Sequence, residues 1–101
     1  MKSNLLRVSI AELCEREGMD TTLVMTLVEL DIARPVAGDK VQEWVFDATG
    51  AHWMEKALRL RRELELDWEA VGMLVELIRQ REELRRENAA LRHRLARFLK
   101  E

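Results

Sequence analysis

The chain has 101 residues, 48% of them hydrophobic and 36% charged, with a net charge of −2. That length allows one domain, or one small domain plus an extension, and the core it can bury is thin enough for self-association to help stability. A lone cysteine excludes an intramolecular disulfide framework, and no stretch approaches the ~18 apolar residues of a membrane span.

The N-terminal MKSNLLRVSI has no long apolar region of a secretory signal, so the expected location is cytoplasmic, with no membrane involved. The modest net charge hides a polarity. Residues 1–78 hold 9 Lys/Arg against 15 Asp/Glu, a net −6, whereas residues 79–101 hold 8 against 4, a net +4. An acidic body favours a basic partner and opposes DNA. These two stretches are the expected units: a body over 1–78 and a helical extension over 79–101, continuous with the last helix.

Ser9-Ile10-Ala11-Glu12 fits a capping box, in which the Ser hydroxyl accepts from a free helix N–H and Glu12 reaches back to the cap. A short helix follows, with Ile10, Leu13 and Cys14 on its apolar side, where Cys14 is expected as a small buried hydrophobe. Gly18 ends it as a left-handed cap. Asp20 then caps a second helix, Thr21 to Leu30, whose apolar face is Leu23, Val24, Leu27, Val28 and Leu30. Helix, Gly turn and helix in so short a span make a helix-turn-helix. From Glu17 to Ala33 there are four acidic residues and no Lys or Arg, so the helix that reads DNA in such motifs carries no cation here.

Ile32-Ala33-Arg34-Pro35 reads as extended, because the residue before Pro avoids the helical region. Gly38-Asp39 gives a turn, and Val41 to Phe46, β-branched and aromatic, predicts a strand that completes a small wing hairpin. Asp47 caps a third helix with Trp53, Ala57, Leu60 and Leu64 on one face, and Asp67 caps a fourth that runs from Trp68 to about Leu99. Gly72 inside it suggests close packing against a neighbour. Near the end of that helix Leu77, Leu84, Leu91 and Phe98 recur every seven residues as d positions, with Leu74, Arg81, Asn88 and Leu95 at a. Leu at d with one Asn at a favours a two-stranded coiled coil. The expected dimer seam is therefore Leu77, Leu84, Asn88, Leu91, Leu95 and Phe98, with parallel and antiparallel pairing both open. The alternative is a stripe that folds back on the body or stays solvated.

No catalytic constellation is visible. His52 and His93 lack metal-ligand spacing with Cys14 or the carboxylates, and Gly18, Gly38, Gly50 and Gly72 are isolated rather than gathered in a phosphate loop. The chain is not expected to be an enzyme, and no cofactor or metal is expected.

The fold class expected is mainly α: a winged helix-turn-helix with a small β wing and a long, coiled-coil-like C-terminal helix. This order resembles the MerR-type scaffold, locally as well as in outline. VSIAELCEREGMDTTLVMTLVELDIARP is similar to the start of that domain, and WVFDATGAHWMEKALRLRRELELDWEAVGMLVEL to its wing exit, third helix and the start of the fourth. DNA-binding members place an Arg followed by two aromatics in the second helix, where this chain has Met25, Thr26 and Leu27, and a wing Arg where it has Trp44. A narrower resemblance, from about Leu6 to Leu99, is to the chaperone-modulator family CbpM. It is carried by Trp44-Val45-Phe46-Asp47, by LRLRRELELDW at 58–68 and by ENAALRHRLARFL at 87–99. That resemblance implies a partner, the J-domain of a CbpA-like DnaJ-type co-chaperone, and an inhibitory role, preventing stimulation of DnaK. The alternative is a small MerR-like DNA-binding transcriptional regulator.

No family motif assigns the contacts, so the expected J-domain surface rests on charge and exposure. It comprises Glu29 and Asp31 at the end of the second helix and Asp39, Glu43 and Trp44 on the wing. Carboxylates suit a basic helix, and an indole can stack on a guanidinium. Trp44 could equally pack under the wing as core, and the acids could be a solvated face.

Overall fold

In a computed structural model, which describes residues 6–100, the chain forms β1 (Arg7–Ser9), α1 (Ile10–Glu17), α2 (Thr21–Glu29), a 3-10 turn (Val41–Glu43), β2 (Val45–Asp47), α3 (Ala48–Leu64) and α4 (Trp68–Lys100). The helix starts are where the sequence puts them, because each is fixed by an oxygen at its cap. The Ser9 hydroxyl accepts from the Glu12 amide at 3.2 Å while Glu12 accepts from the Ser9 amide at 2.8 Å. Asp20, Asp47 and Asp67 each accept from the amide three residues on, at 2.8 Å. Each such cap holds about 1 kcal/mol of helix stability. Gly18 ends α1 with φ 71°, the left-handed cap that its position predicts.

The wing is smaller and wired differently from the expected hairpin. β2 pairs antiparallel with β1, in the register Arg7↔Asp47, Val8↔Phe46 and Ser9↔Val45. The segment after α2 adds only an isolated bridge, Ala37↔Val45, and Val41–Glu43 is a 3-10 turn rather than strand. The reason lies at Gly38. Its φ is 100°, and a Cβ there would lie 2.2 Å from the Glu43 carbonyl oxygen. The chain doubles back so tightly that residues 41–43 must coil before Val45 can reach the ladder.

The core is one cluster in which Leu13, Val24, Leu27, Ile32, Phe46, Met54, Val71 and Val75 are fully buried. All the larger helices and β2 contribute to it, each buried aliphatic or aromatic chain adding about 1.5–3 kcal/mol relative to exposure. Cys14 is half-buried at its margin, less enclosed than expected. Gly72 is not forced by packing either, because a Cβ there would meet Leu30 at an ordinary 3.7 Å.

α4 leaves this core as it runs. Its fully buried residues are Val71 and Val75, Ile78, Arg79 and Glu82 are half-buried, and from Glu83 onward every described residue is exposed. The helix sets the long dimension of a 56 × 32 × 21 Å molecule. None of the described helices is long and apolar enough to cross a membrane.

Candidate functional site

The end of α2 is built as a Schellman turn. Leu30 is the cap, the Asp31 amide donates to the Val28 carbonyl at 2.9 Å, and the Ile32 amide donates to the Leu27 carbonyl at 3.0 Å. This closure needs a left-handed residue, and Asp31 takes it with φ 63°. The turn pushes the Asp31 carboxylate outward, where it accepts from the Arg34 Nε at 2.8 Å. That hydrogen bond, and then the Arg34 charge, hold the Asp31 carboxyl below its ordinary pKa. Both side chains are well exposed, so the pair adds little stability. It does place a cation inside the expected acidic patch.

The loop is pinned from behind by a group that sequence reading missed. Arg79 of α4 donates to the Asp31 carbonyl at 2.9 Å and to the Ile32 carbonyl, and its guanidinium lies 4.8 Å from the centre of the Trp53 ring. Arg79 therefore belongs to the body and not to the basic tail in which its position counts it. Lys56 also lies against the Trp53 ring, 5.4 Å from its centre, and 3.9 Å from Glu82 of α4. The pattern that could have found Arg79 is a cation one turn beyond the last buried position of α4, but nothing in the sequence says where such a side chain turns.

On the wing, Asp39 and Glu43 are exposed. Glu43 curls back to accept from the Lys40 amide at a long 3.4 Å. Trp44 is neither free nor fully enclosed. It is half-buried, meets Phe46 edge to face at 6.3 Å, and packs against the core cluster. Its carbonyl accepts from the Ile10 amide at 3.1 Å, which ties the wing to the start of α1. The expected contact residues thus form two groups, Glu29 with Asp31 and Asp39 with Glu43 and Trp44. α2 and the 3-10 turn pack on each other, so the groups belong to neighbouring elements. Among the described residues no hydrogen bond or ion pair joins one group to the other.

The solvent face of α2 is Thr22, Met25 and Glu29, with Thr26 half-buried and its hydroxyl donating to the Thr22 carbonyl. It offers a phosphate no cation and one carboxylate. A second acidic locus lies where Glu55 of α3 faces Glu17 of α1. Burial, then the charge of Glu17 and a hydrogen bond to it, raise the Glu55 carboxyl above its ordinary pKa against the opposing pull of Arg16 and His52. Among the described residues no group of three or more His, Cys, Asp or Glu could hold a metal ion.

Two apolar features are open to solvent. A shallow groove of about 600 Å³ runs between the end of α2 and α4, lined by Leu30, Gly72, Met73 and Leu77 and rimmed by Glu69 and Glu76. Beyond it, the expected seam residues Leu77, Leu84, Asn88, Leu91, Leu95 and Phe98 are all exposed, the apolar ones between the 57% of Leu95 and the 77% of Phe98.

A two-helix reader, a short wing and a long departing helix define a MerR-type winged helix-turn-helix protein. The family model for MerR HTH family regulatory proteins matches residues 8–93. The chain is 36% identical over 99 residues to the chaperone modulatory protein CbpM of Pseudomonas entomophila, covering 97% of both chains. It is 34% identical over 100 residues to that of Pseudomonas putida KT2440, covering 98% of both, and 36% identical over 92 residues to that of Citrobacter koseri, covering 91% and 90%. The chain belongs to the CbpM family of chaperone modulatory proteins, which are non-enzymatic.

Proposed function

We propose that this protein binds the J-domain of a CbpA-like co-chaperone and thereby prevents that domain from stimulating DnaK. The observation that carries the proposal is likeness to CbpM proteins along nearly the whole chain, at about the same identity in several genera. The physical chemistry agrees with it. J-domains resemble one another in a basic helix that docks on DnaK, and an acidic body attracts and orients such a helix. Inhibition then requires only that the helix be covered.

The proposed contact surface is Glu29 and Asp31 at the end of α2 with Asp39, Glu43 and Trp44 on the wing. Reversing Glu29, Asp31 and Glu43 to Lys together should leave the helical circular dichroism unchanged and weaken J-domain binding by at least about tenfold, or about 1.4 kcal/mol. The loss should fall mainly on the association rate, because peripheral charges steer more than they hold. Undiminished binding at low salt would move the interface elsewhere.

The MerR likeness keeps a DNA-binding regulator as the competing reading, and the cation-free face of α2 argues against it. Affinity for duplex DNA should be no better than about 10⁻⁴ to 10⁻⁶ M at physiological salt. Sequence-selective nanomolar binding would favour the regulator.

We also propose that the protein is a homodimer joined through Leu77, Leu84, Asn88, Leu91, Leu95 and Phe98. Truncation after Glu83, which spares Arg79 and Glu82 but removes Leu84, Asn88, Leu91, Leu95 and Phe98, should convert a dimer to a monomer in light scattering, and an unchanged dimer would remove the seam.

A further inference from the structure

The candidate surface is acidic, yet one cation stands inside it. Arg34 is the only Lys or Arg between Arg16 and Lys40, a stretch that holds Glu17, Asp20, Glu29, Asp31 and Asp39. Its side chain is 80% exposed and reaches Asp31 through Nε at 2.8 Å. The two terminal nitrogens of the guanidinium make no hydrogen bond among the described residues. An exposed pair of this kind contributes little to stability, so the fold does not need it.

The chain nevertheless holds Arg34 in a fixed place. On one side Arg79 donates to the Asp31 and Ile32 carbonyls. On the other, the Val36 amide donates to the Val45 carbonyl at 2.7 Å, and the Val45 amide to the Ala37 carbonyl at 3.0 Å. Only Ala33, Arg34 and Pro35 lie between these anchorages, and Ala33 is itself buried. Arg34 therefore points outward from a short, pinned segment, at the edge of a cleft of about 350 Å³ walled by Pro35, Val36, Thr49 and Trp53. The other charged groups of the cleft already have partners. Arg79 is engaged by two carbonyls and the Trp53 ring, Asp47 by the Gly50 amide, and Asp31 by Arg34. Arg34 alone has donors left over, in a planar fork that matches a carboxylate in two parallel bonds.

We infer that Arg34 receives an Asp or Glu side chain of the J-domain at the mouth of this cleft, while Glu29 and Asp31 beside it take that domain's cations. Arg34 has this role only if the protein binds a J-domain, as proposed above. The flanking carboxylates oppose a phosphate chain as the occupant, whereas a basic helix that carries one acid meets both signs. The consequence is selectivity. A protein that offers cations alone is attracted to the surface but sets a cation against Arg34, and that mismatch discriminates against it.

Charge alone and the carboxylate contact give opposite signs for one substitution. If the surface works only by its negative charge, Arg34→Ala removes the opposing cation and should tighten binding. With the carboxylate contact, Arg34→Ala should weaken binding of the intact co-chaperone by at least about fivefold, mainly through faster dissociation, because a bonded pair holds where peripheral charge steers. Surface plasmon resonance with the full chain reads both rates. A charge swap then separates a lost contact from a loosened loop. Arg34→Glu should bind at least about tenfold more weakly than the parent. Reversing one acid of the J-domain to Lys, each of its surface Asp and Glu residues being tried in turn, should restore most of that loss. Binding by Arg34→Ala as tight as the parent's or tighter, or restoration by none of the reversals, would overturn the contact. If the parent binds the co-chaperone, either result removes the contact alone. A parent that does not bind it removes the J-domain reading and the contact together.

Discussion

Replacing Arg79 with alanine should be among the most damaging single changes outside the apolar core. The side chain donates to the Asp31 carbonyl at 2.9 Å and to the partly buried Ile32 carbonyl, and it lies over Trp53 at 4.8 Å. A hydrogen bond from a charged donor contributes about 1.5–3 kcal/mol where solvent is excluded, and the exposed bond to Asp31 contributes less. The contact with the indole adds about 0.5–1 kcal/mol. These contributions share one side chain and do not add fully, so the expected loss is about 3 kcal/mol, a large part of the ~5–15 kcal/mol that holds a typical domain folded. With a urea m-value of about 1.5 kcal/mol/M, the unfolding midpoint should fall by about 2 M. Arg79→Lys keeps the charge but not the fork that spans two carbonyls, and should lose roughly half as much. Urea titration by circular dichroism measures this, at one fixed protein concentration because self-association would shift the midpoint. An alanine variant within about 0.5 kcal/mol of the parent would show that the Schellman turn holds without its clamp. A lysine variant as damaged as the alanine would mean that the geometry of the fork, not the charge, carries the whole effect.

Glu65 ends α3 with φ 53°, a left-handed conformation unfavourable for a side-chain-bearing residue and a carboxylate at the negative helix end, so Glu65→Gly should stabilise by about 1 kcal/mol and raise Tm by about 4–8 °C in a thermal melt. Two glycines should respond oppositely to alanine: Gly38→Ala drives a Cβ into the Glu43 backbone at positive φ and should cost at least about 2–3 kcal/mol, whereas Gly72→Ala finds room beside Leu30 and should gain about 0.5–1 kcal/mol. Equal effects of the two in denaturant titrations would contradict the geometry. Glu55 holds its proton more tightly in the fold than in the unfolded chain, chiefly because burial disfavours the charged form, so its ionisation opposes folding and stability should rise as pH falls through its raised pKa. Glu55→Gln should therefore melt higher than the parent at neutral pH, with the advantage vanishing below the ordinary carboxylate range. A gain that persists in acid would come from something other than this charge.

What could be read from the sequence is what depends on close neighbours. The caps at Ser9, Asp20, Asp47 and Asp67 are contacts between residues three apart, so their residue types alone announce them, and all are present. The left-handed Gly18 and the unbroken α4 follow from equally local rules. The misreadings begin where distant segments decide. Val41–Glu43 has a strand's residues but a 3-10 turn's conformation, because the reversal at Gly38 leaves it no straight path. β1 was invisible because three residues before a cap have no periodicity to show, and they are extended only because β2 lies beside them. The Schellman turn at Asp31 has no glycine to signal it, and its clamp Arg79 comes from 48 residues away. The acids of the candidate surface could be placed on their elements, but not the cation set among them by Arg34, nor the half-burial of Trp44.

The same distinction explains how one scaffold can exchange DNA for a protein without changing its fold. The residues that shape the helix-turn-helix, Leu13, Val24, Leu27 and Ile32, face inward and are fully buried. The solvent-facing residues of α2, Thr22, Met25 and Glu29, bear no part of the core. An Arg on that outer face would add a phosphate contact while leaving the core untouched, and its loss removes the contact equally cleanly. Stability therefore does not constrain the charge of the face, and the partner does. The five acids without a cation between residues 63 and 78 carry the same sign onto the second half of the body. An acidic surface of this kind disfavours a polyanion and suits a basic partner.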